Sequence, residues 1–360
     1  MNKKSSSQFL RQSLLVLMCV GFFAACEKKK DEPAIAAPLA DIYLASGTVY
    51  VGLGVTTAAP SQTVSRFDGN GNFVAVLRDY TSSPGDTPVS LADYDEQHIL
   101  VLVENTASRR VELVRKDGSS YSTLFTNAGL SSVLRQMRYD SAGALLISRS
   151  TAVEKFTANG VRVTMGANAF VNAPGGACAP VITNISSIAN GPDGQVLMAH
   201  AFTAAAANNR VVMISKSGYA TAGDCLAVLA APTTASFPTS LLMHSSGQLL
   251  IGYGNNTGPV HEIHSVAVNS AAFGTPVKAF GDLAVLQGIS KMAELANGDV
   301  LVVAAAAAFN TIEHFSFDPS TGLLTRVKSK PFITPSIFTR SVSDILIVNP
   351  GTTYPALLAE

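Results

Sequence analysis

Asn297-Gly298-Asp299-Val300-Leu301-Val302-Val303 places a tight-turn triplet directly before four branched apolar residues, and the same phrase returns along the chain. It recurs as Gln97-His98 before Ile99-Leu100-Val101, Gly143 before Ala144-Leu145-Leu146-Ile147, Asp193-Gly194 before Gln195-Val196-Leu197-Met198, and Ser246-Gly247 before Gln248-Leu249-Leu250-Ile251. Ser46-Gly47 before Thr48-Val49-Tyr50-Val51 and Ser343-Asp344 before Ile345-Leu346-Ile347-Val348 complete the series. The turn centres, at residues 47, 97, 143, 194, 247, 298 and 344, are 46 to 53 residues apart. A period of this size belongs to repeat architectures, in which no unit can bury its apolar face without its neighbours.

A second turn falls inside each period, as Asp68-Gly69-Asn70-Gly71, Asp117-Gly118, Asn159-Gly160, Ser217-Gly218 and Asp318-Pro319-Ser320-Thr321-Gly322, with a less regular version at residues 269–274. Asp-Gly and Asn-Gly supply the positive φ angles of hairpin turns, so each marks a reversal between strands. The flanking segments alternate as strands do, for example Val111-Glu112-Leu113-Val114, Val153-Glu154-Lys155-Phe156 and Ile312-Glu313-His314-Phe315. Each unit therefore reads as four antiparallel strands. An all-apolar inner strand is covered on both faces, and a second pair mixes polar residues as a half-solvated outer hairpin would. Radial repetition of such units is the pattern of a β-propeller. A leucine-rich solenoid has shorter, helix-containing units, and an immunoglobulin array needs about 100 residues per domain. Seven inner strand pairs against six outer hairpins favour seven blades. Six result if the segment 340–348 completes the first blade instead.

With that rhythm, residues 41–348 resemble the bacterial propellers with degenerate repeats, of the NHL, SMP-30 and YncE-like kind. The units lack the Trp-Asp ending of WD40 repeats. SMP-30-like hydrolases hold a divalent cation with a Glu, two Asn and an Asp drawn from different blades. Glu104-Asn105, His200 and Asn255-Asn256 follow apolar strands here, but no flanking motif aligns them with that set. The resemblance implies a cation-dependent hydrolase or lactonase as the alternative function.

The first 25 residues are a separate unit. Lys3, Lys4 and Arg11 precede an almost continuous apolar run from Leu14 to Phe23, shorter than the ~20 residues a membrane-spanning helix needs. Phe23-Ala24-Ala25-Cys26 resembles the lipobox of bacterial lipoproteins, matching at Ala24, Ala25 and Cys26 and departing from the usual aliphatic residue at Phe23. The resemblance implies a signal peptide over residues 1–25 and lipidation of Cys26. A polar, Ala/Pro-rich tether follows over 26–40, then the propeller over 41–350 and a short tail over 351–360. Several acyl chains on one cysteine anchor a protein stably without crossing the bilayer. Glu27 in place of Asp, by analogy with enteric sorting, points to the outer membrane of the cell envelope.

Loss of Lys3, Lys4 and Arg11 with the leader leaves 22 basic against 25 acidic residues, a net charge of −3. A nucleic-acid partner calls for a basic surface, so none is expected. Cys19 leaves with the leader and Cys26 takes lipid, which leaves Cys178 and Cys225, 47 residues apart. In an oxidising compartment the two form a candidate disulfide, the alternative being two buried thiols.

The sequence contains no G-x-S-x-G, no Walker loop and no Cys-x-x-Cys pair, so no catalytic residue, metal site or cofactor is expected. His261-Glu262-Ile263-His264 has two imidazoles three apart, which on a strand point to opposite faces and read as an exposed strand start. Without tryptophan and with 7% aromatic residues, the chain lacks the large flat side chains that carbohydrate sites and protein hot spots favour. Closed blade edges leave no strand to drive pairing, so a monomer is expected. The function expected from these readings is a noncatalytic binding or scaffolding module, held to the membrane by its lipid and contacting an envelope protein or a small ligand through loops such as 55–63, 167–183 and 201–209.

Overall fold

Strands as apolar as Ile99-Leu100-Val101-Leu102-Val103 persist only where both faces are covered. In the computed structural model all five are fully buried. The structure describes residues 40–46, 50–51, 54–55, 62–83, 85–105, 108–126, 133–157, 160–164, 169–172, 178, 184–201, 209–219, 221–233, 235–255, 261–282, 284–286, 288–305, 310–333 and 342–350. The leader, Cys26, the tether up to residue 39, the tail 351–360 and most of the loops 55–63, 167–183 and 201–209 lie outside them.

The described residues form six four-stranded antiparallel sheets, the blades of a propeller. From the axis outward, blade 2 runs Thr87–Asp93, His98–Glu104, Arg110–Arg115 and Tyr121–Thr126. Blade 3 runs Leu134–Tyr139, Leu145–Arg149, Ala152–Phe156 and Arg162–Val163, with Val171–Asn172 also paired to its third strand. Blade 4 runs Ile185–Asn190, Val196–His200, Arg210–Ile214 and Cys225–Ala230. Blade 5 runs Ser236–Met243, Gln248–Asn255, Glu262–Ala267 and Val277–Phe280, and blade 6 runs Ile289–Glu294, Val300–Ala305, Asn310–Asp318 and Leu323–Arg326. Blade 1 joins the two ends of the ring: Val342–Val348 lies innermost, followed by Asp41–Ser46, Thr63–Phe67 and Phe73–Asp79. The six innermost strands pack each against the next in a closed circuit.

The core is divided accordingly into six apolar clusters, one at each blade interface. Alternation along each second strand supplies two of them. Ile99, Val101 and Val103 meet Tyr43 and Val64 of blade 1, while Leu100 and Leu102 meet Leu134 and Met137 of blade 3. Full burial of one such side chain contributes roughly 1.5–3 kcal/mol, so each second strand stabilises two interfaces at once.

The expected count of seven blades is corrected to six. The residues that misled it are at the chain ends. Ser343-Asp344 is not a turn but part of the innermost strand Val342–Val348, which pairs in register with Asp41–Ser46. The second strand of blade 1 is therefore the buried Ile42-Tyr43-Leu44-Ala45, and Tyr50–Val51 belongs to a small hairpin with Gly54–Val55. One blade is assembled from both ends of the chain, which is why its two parts read as separate units in the sequence.

The hairpin turns stand where Gly and Asp announce them. Gly298 adopts φ +83° between the first two strands of blade 6, and its N–H closes on Leu295 O at 2.9 Å. Gly218 adopts φ +90°, and a Cβ there would lie 2.5 Å from Phe170 O, so the turn needs glycine for both reasons. The third strands depart from the half-solvated expectation. Glu112, Glu154 and Glu313 are all at most 2% exposed and are held by Arg78 and Arg110, by Arg149 and Arg162, and by Arg326 respectively. A buried carboxylate persists only when paired and hydrogen-bonded.

Candidate functional site: the polar ring and the channel mouth

Each innermost strand carries a bulge at the same level. The register slips between Pro88 and Ser90, Leu134 and Gln136, Ile185 and Ser187, Pro238 and Ser240, and Ile289 and Lys291. In blade 1 it slips across Ser343, with Asp344 opposite Ala45 and Val342 opposite Ser46. Directly after the bulge stand Ser90, Gln136, Ser187, Ser240, Lys291 and Asp344, one per blade and all buried. A bulge takes backbone groups off the ladder, and such groups need partners when buried. The polar side chains supply them across the blade interfaces.

Asp344 Oδ2 accepts the Leu91 N–H of blade 2 at 2.9 Å, and Ser90 Oγ accepts the Met137 N–H of blade 3 at 3.0 Å. Gln136 Oε1 accepts the Ile188 N–H of blade 4 at 2.8 Å, together with the Ser187 hydroxyl at 2.8 Å. Ser187 Oγ in turn accepts the Leu241 N–H of blade 5 at 3.0 Å. The bulged residues add a second tier, with the Ser186 hydroxyl donating to Pro238 O at 2.6 Å and that of Ser343 to Pro88 O at 2.7 Å. A run of polar side chains thus stitches blades 1 to 5 in succession around the axis.

Lys291 breaks the pattern, because an ammonium has three donors and no acceptor. At that seam the Ile345 N–H is taken instead by its neighbour's Asp344 Oδ1 at 3.0 Å. Arg138 Nη2 of blade 3 stands 3.7 Å from the same oxygen in blade 1, so this arginine reaches across the axis. Burial pushes the Lys291 amine down to about 8. Asp344 pulls it back up, while Arg138 and Arg135 press it further down.

Below the ring the channel widens into a cavity of about 470 Å³. Its walls are the ends of five innermost strands, mostly apolar, including Leu242, Met243, Met292 and Leu346. Arg138 and Glu294 are its ionisable lining residues and Asn190 its side-chain amide.

The residues singled out from sequence are dispersed. Glu104 is tied to Arg109 at 2.9 Å and to the Leu134 N–H at 2.8 Å, and the Asn105 amide donates to Asp86 at 2.5 Å. His200 is buried at the end of its strand, while Asn256 lies outside the described residues. Among the described residues no three His, Cys, Asp or Glu side chains are grouped to hold an ion. His261 precedes its strand, and His264 pairs with Glu262 at 2.8 Å, two residues away on the same face. His264 is buried against Tyr253 rather than exposed. Cys178 and Cys225 are joined by a disulfide, with Cα atoms 5.8 Å apart, linking the segment that leads into blade 4 to that blade's outermost strand. The polar ring was missed in sequence. Its signal is a Ser, Gln, Lys or Asp placed directly before the apolar residue in each innermost strand, which a search for apolar runs passes over.

These features define the class: a six-bladed β-propeller closed by pairing its last strand with its first. In fold it is similar to a protein of unknown function from Bacteroides caccae, with a TM-score of 0.54 and 13% identity over 87% of this chain and 99% of that one. It is similar also to a chain of the nidogen/laminin complex, with a TM-score of 0.56 and 13% identity over 86% and 98%. A candidate 6-phosphogluconolactonase from Bacteroides uniformis gives a TM-score of 0.51 and 13% identity over 80% and 82%. At this identity the likeness is one of fold. No protein-family model matches the sequence, and no curated protein matches it.

Proposed function

We propose that this chain is a lipid-anchored propeller of the bacterial cell envelope that acts as a noncatalytic binding module, attached to the outer membrane through Cys26. The observation that carries the binding role is the channel-mouth cavity. Its volume of about 470 Å³ and its mostly apolar wall with a few polar groups are those of a ligand pocket. Its ionisable lining is one arginine and one glutamate, and a nucleophile paired with a base is not among the residues that line it. The lipid anchor is supported by Ala24, Ala25 and Cys26 following the apolar leader.

The cation-dependent hydrolase implied by the SMP-30-like resemblance draws no support from the axis. Around Lys291 the charges are Arg138 and Arg135 against Asp344, and the cavity wall adds Arg138 and a single carboxylate, Glu294, too few acidic oxygens to ring a cation.

Two measurements test the proposal. Thermal-shift screening of the full-length protein against small metabolites, repeated on Met243→Arg to fill the cavity mouth, is expected to find ligands that stabilise the parent and not the variant. Turnover of lactone or ester substrates that is abolished by added chelator would overturn the noncatalytic reading. For attachment, growth with a radiolabelled fatty acid is expected to label the parent chain and not Cys26→Ser. An unlabelled parent chain would remove the anchor.

A further inference from the structure

Lys291 is 6% exposed, and the charge that draws its ammonium is Asp344. Its nearest opposite charge is already engaged. Asp344 accepts the Ser90 hydroxyl at 2.5 Å and the Leu91 and Ile345 N–H groups at 2.9 and 3.0 Å, and faces Arg138 at 3.7 Å. In the same ring the Gln136 side chain uses its oxygen for two donors from blade 4, while its buried Nε2 has no partner. Gln136 Nε2 is therefore a buried donor without an acceptor among the described residues, and Lys291 shares its level of the ring. A buried ammonium that faces Arg138 and shares its one attracting carboxylate with three other donors is costly, and this local positive excess draws an anion. Arg138 connects this level to the open cavity, because it lines the cavity wall and reaches Asp344 in the ring.

We propose that Lys291, Gln136 and Arg138 form a binding site for a small oxyanion, a carboxylate or a phosphate, which enters through the channel mouth. A carboxylate or phosphate offers at least two acceptor oxygens, one for the lysine ammonium and the Gln136 amide and another for the arginine fork. The site is independent of the lipid anchor and of any partner at the loops.

Isothermal titration of the full-length protein with inorganic phosphate, succinate and chloride, in an otherwise anion-poor buffer at pH 7, tests it. Saturable binding of phosphate or succinate at millimolar concentration or tighter is expected, and the stronger of the two identifies the class of oxyanion. Chloride, a single spherical acceptor, is expected to bind more weakly than either. Lys291→Met should weaken the oxyanion about tenfold or more, because a charge-assisted bond contributes upward of 1.4 kcal/mol. Arg138→Gln, at a half-buried rim position that tolerates change, should weaken it in the same direction and covers the case in which Lys291→Met does not fold. The pH profile is a third readout. As pH rises through 8 the amine loses its proton, with Asp344, Arg135 and Arg138 facing it and Glu294 three residues along its own strand, and affinity is expected to fall. No saturable binding of phosphate or succinate, or affinities unchanged in Arg138→Gln and in a folded Lys291→Met, would overturn the proposal.

Discussion

The Asp344 carboxylate accepts the Ser90 hydroxyl at 2.5 Å across 254 residues of sequence. Asp344 lies in the strand that closes the ring and Ser90 in the innermost strand of blade 2, so this bond ties the closing strand to the blade beside it. The same carboxylate caps the Leu91 and Ile345 N–H groups. Closure of the ring and satisfaction of its bulges are thus one event.

Replacing Asp344 by alanine strands the Leu91 N–H in a dry interface, takes the short acceptor from the Ser90 hydroxyl and, among the described residues, removes the carboxylate that acts on Lys291. Removing one partner of a buried charge network costs about 3–5 kcal/mol. Urea denaturation of Asp344→Ala is expected to show a loss of that order, whereas Ser90→Ala, which strands the Met137 N–H but leaves the carboxylate its N–H donors, should cost less, about 1–3 kcal/mol.

Ile345 fills the interface between blades 6 and 1 and is 1% exposed. Truncation to alanine leaves a cavity in a sheet already closed on both sides, for a cost of about 2–5 kcal/mol. Leu323, on an outermost strand and 45% exposed, provides the contrast. Its alanine variant should melt within about 0.5 kcal/mol of the parent. Equal losses at the two sites would deny the closing role of the last strand.

Lys291 makes stability depend on alkaline pH. Its amine titrates near 8 in the folded chain and near the ordinary 10.5 when unfolded. Between those values the unfolded state holds more protons, so stability rises with pH across the window. Below pH 8 both states are charged, and the folded one carries the full cost of the buried ammonium. In anion-poor buffer, the parent is expected to gain on Lys291→Met by an amount on the order of 3 kcal/mol from pH 8 to 10.5. A constant difference between the two proteins over that range would refute the assignment.

The disulfide between Cys178 and Cys225 closes a loop of 47 residues. Chain-entropy arguments give about 4 kcal/mol for a loop of that length. The double variant Cys178→Ser/Cys225→Ser is expected to melt lower by a corresponding amount. Mass spectrometry after alkylation without reductant should find neither cysteine modified in the parent.

The blade rhythm was legible in the chain because its cause is local. A second strand covered on both faces must be apolar at every position, as at Ile99 to Val103, and a hairpin without room for a Cβ must carry glycine, as at Gly218. The buried Glu112, Glu154 and Glu313 were not legible, since alternation of polar and apolar residues looks the same whether the polar face meets water or an arginine from another strand. Arg78, which pairs with Glu112, is 34 residues away in the neighbouring blade. The candidate site was hidden for the same reason: Lys291, Gln136 and Arg138 come from blades 6 and 3, and nothing along the chain brings them to one axis.

By itself, then, the sequence determined the unit: four strands, their order, the turns between them and which strand is dry. It did so because those properties follow from the periodicity and backbone freedom of neighbouring residues. Only the tertiary structure decided how many units make the ring and what lies at its centre. Blade number depends on whether Val342–Val348 pairs with Asp41–Ser46, and the polar ring on where six bulges fall around a common axis. Both are relations between residues hundreds of positions apart, fixed by the closing of the circle.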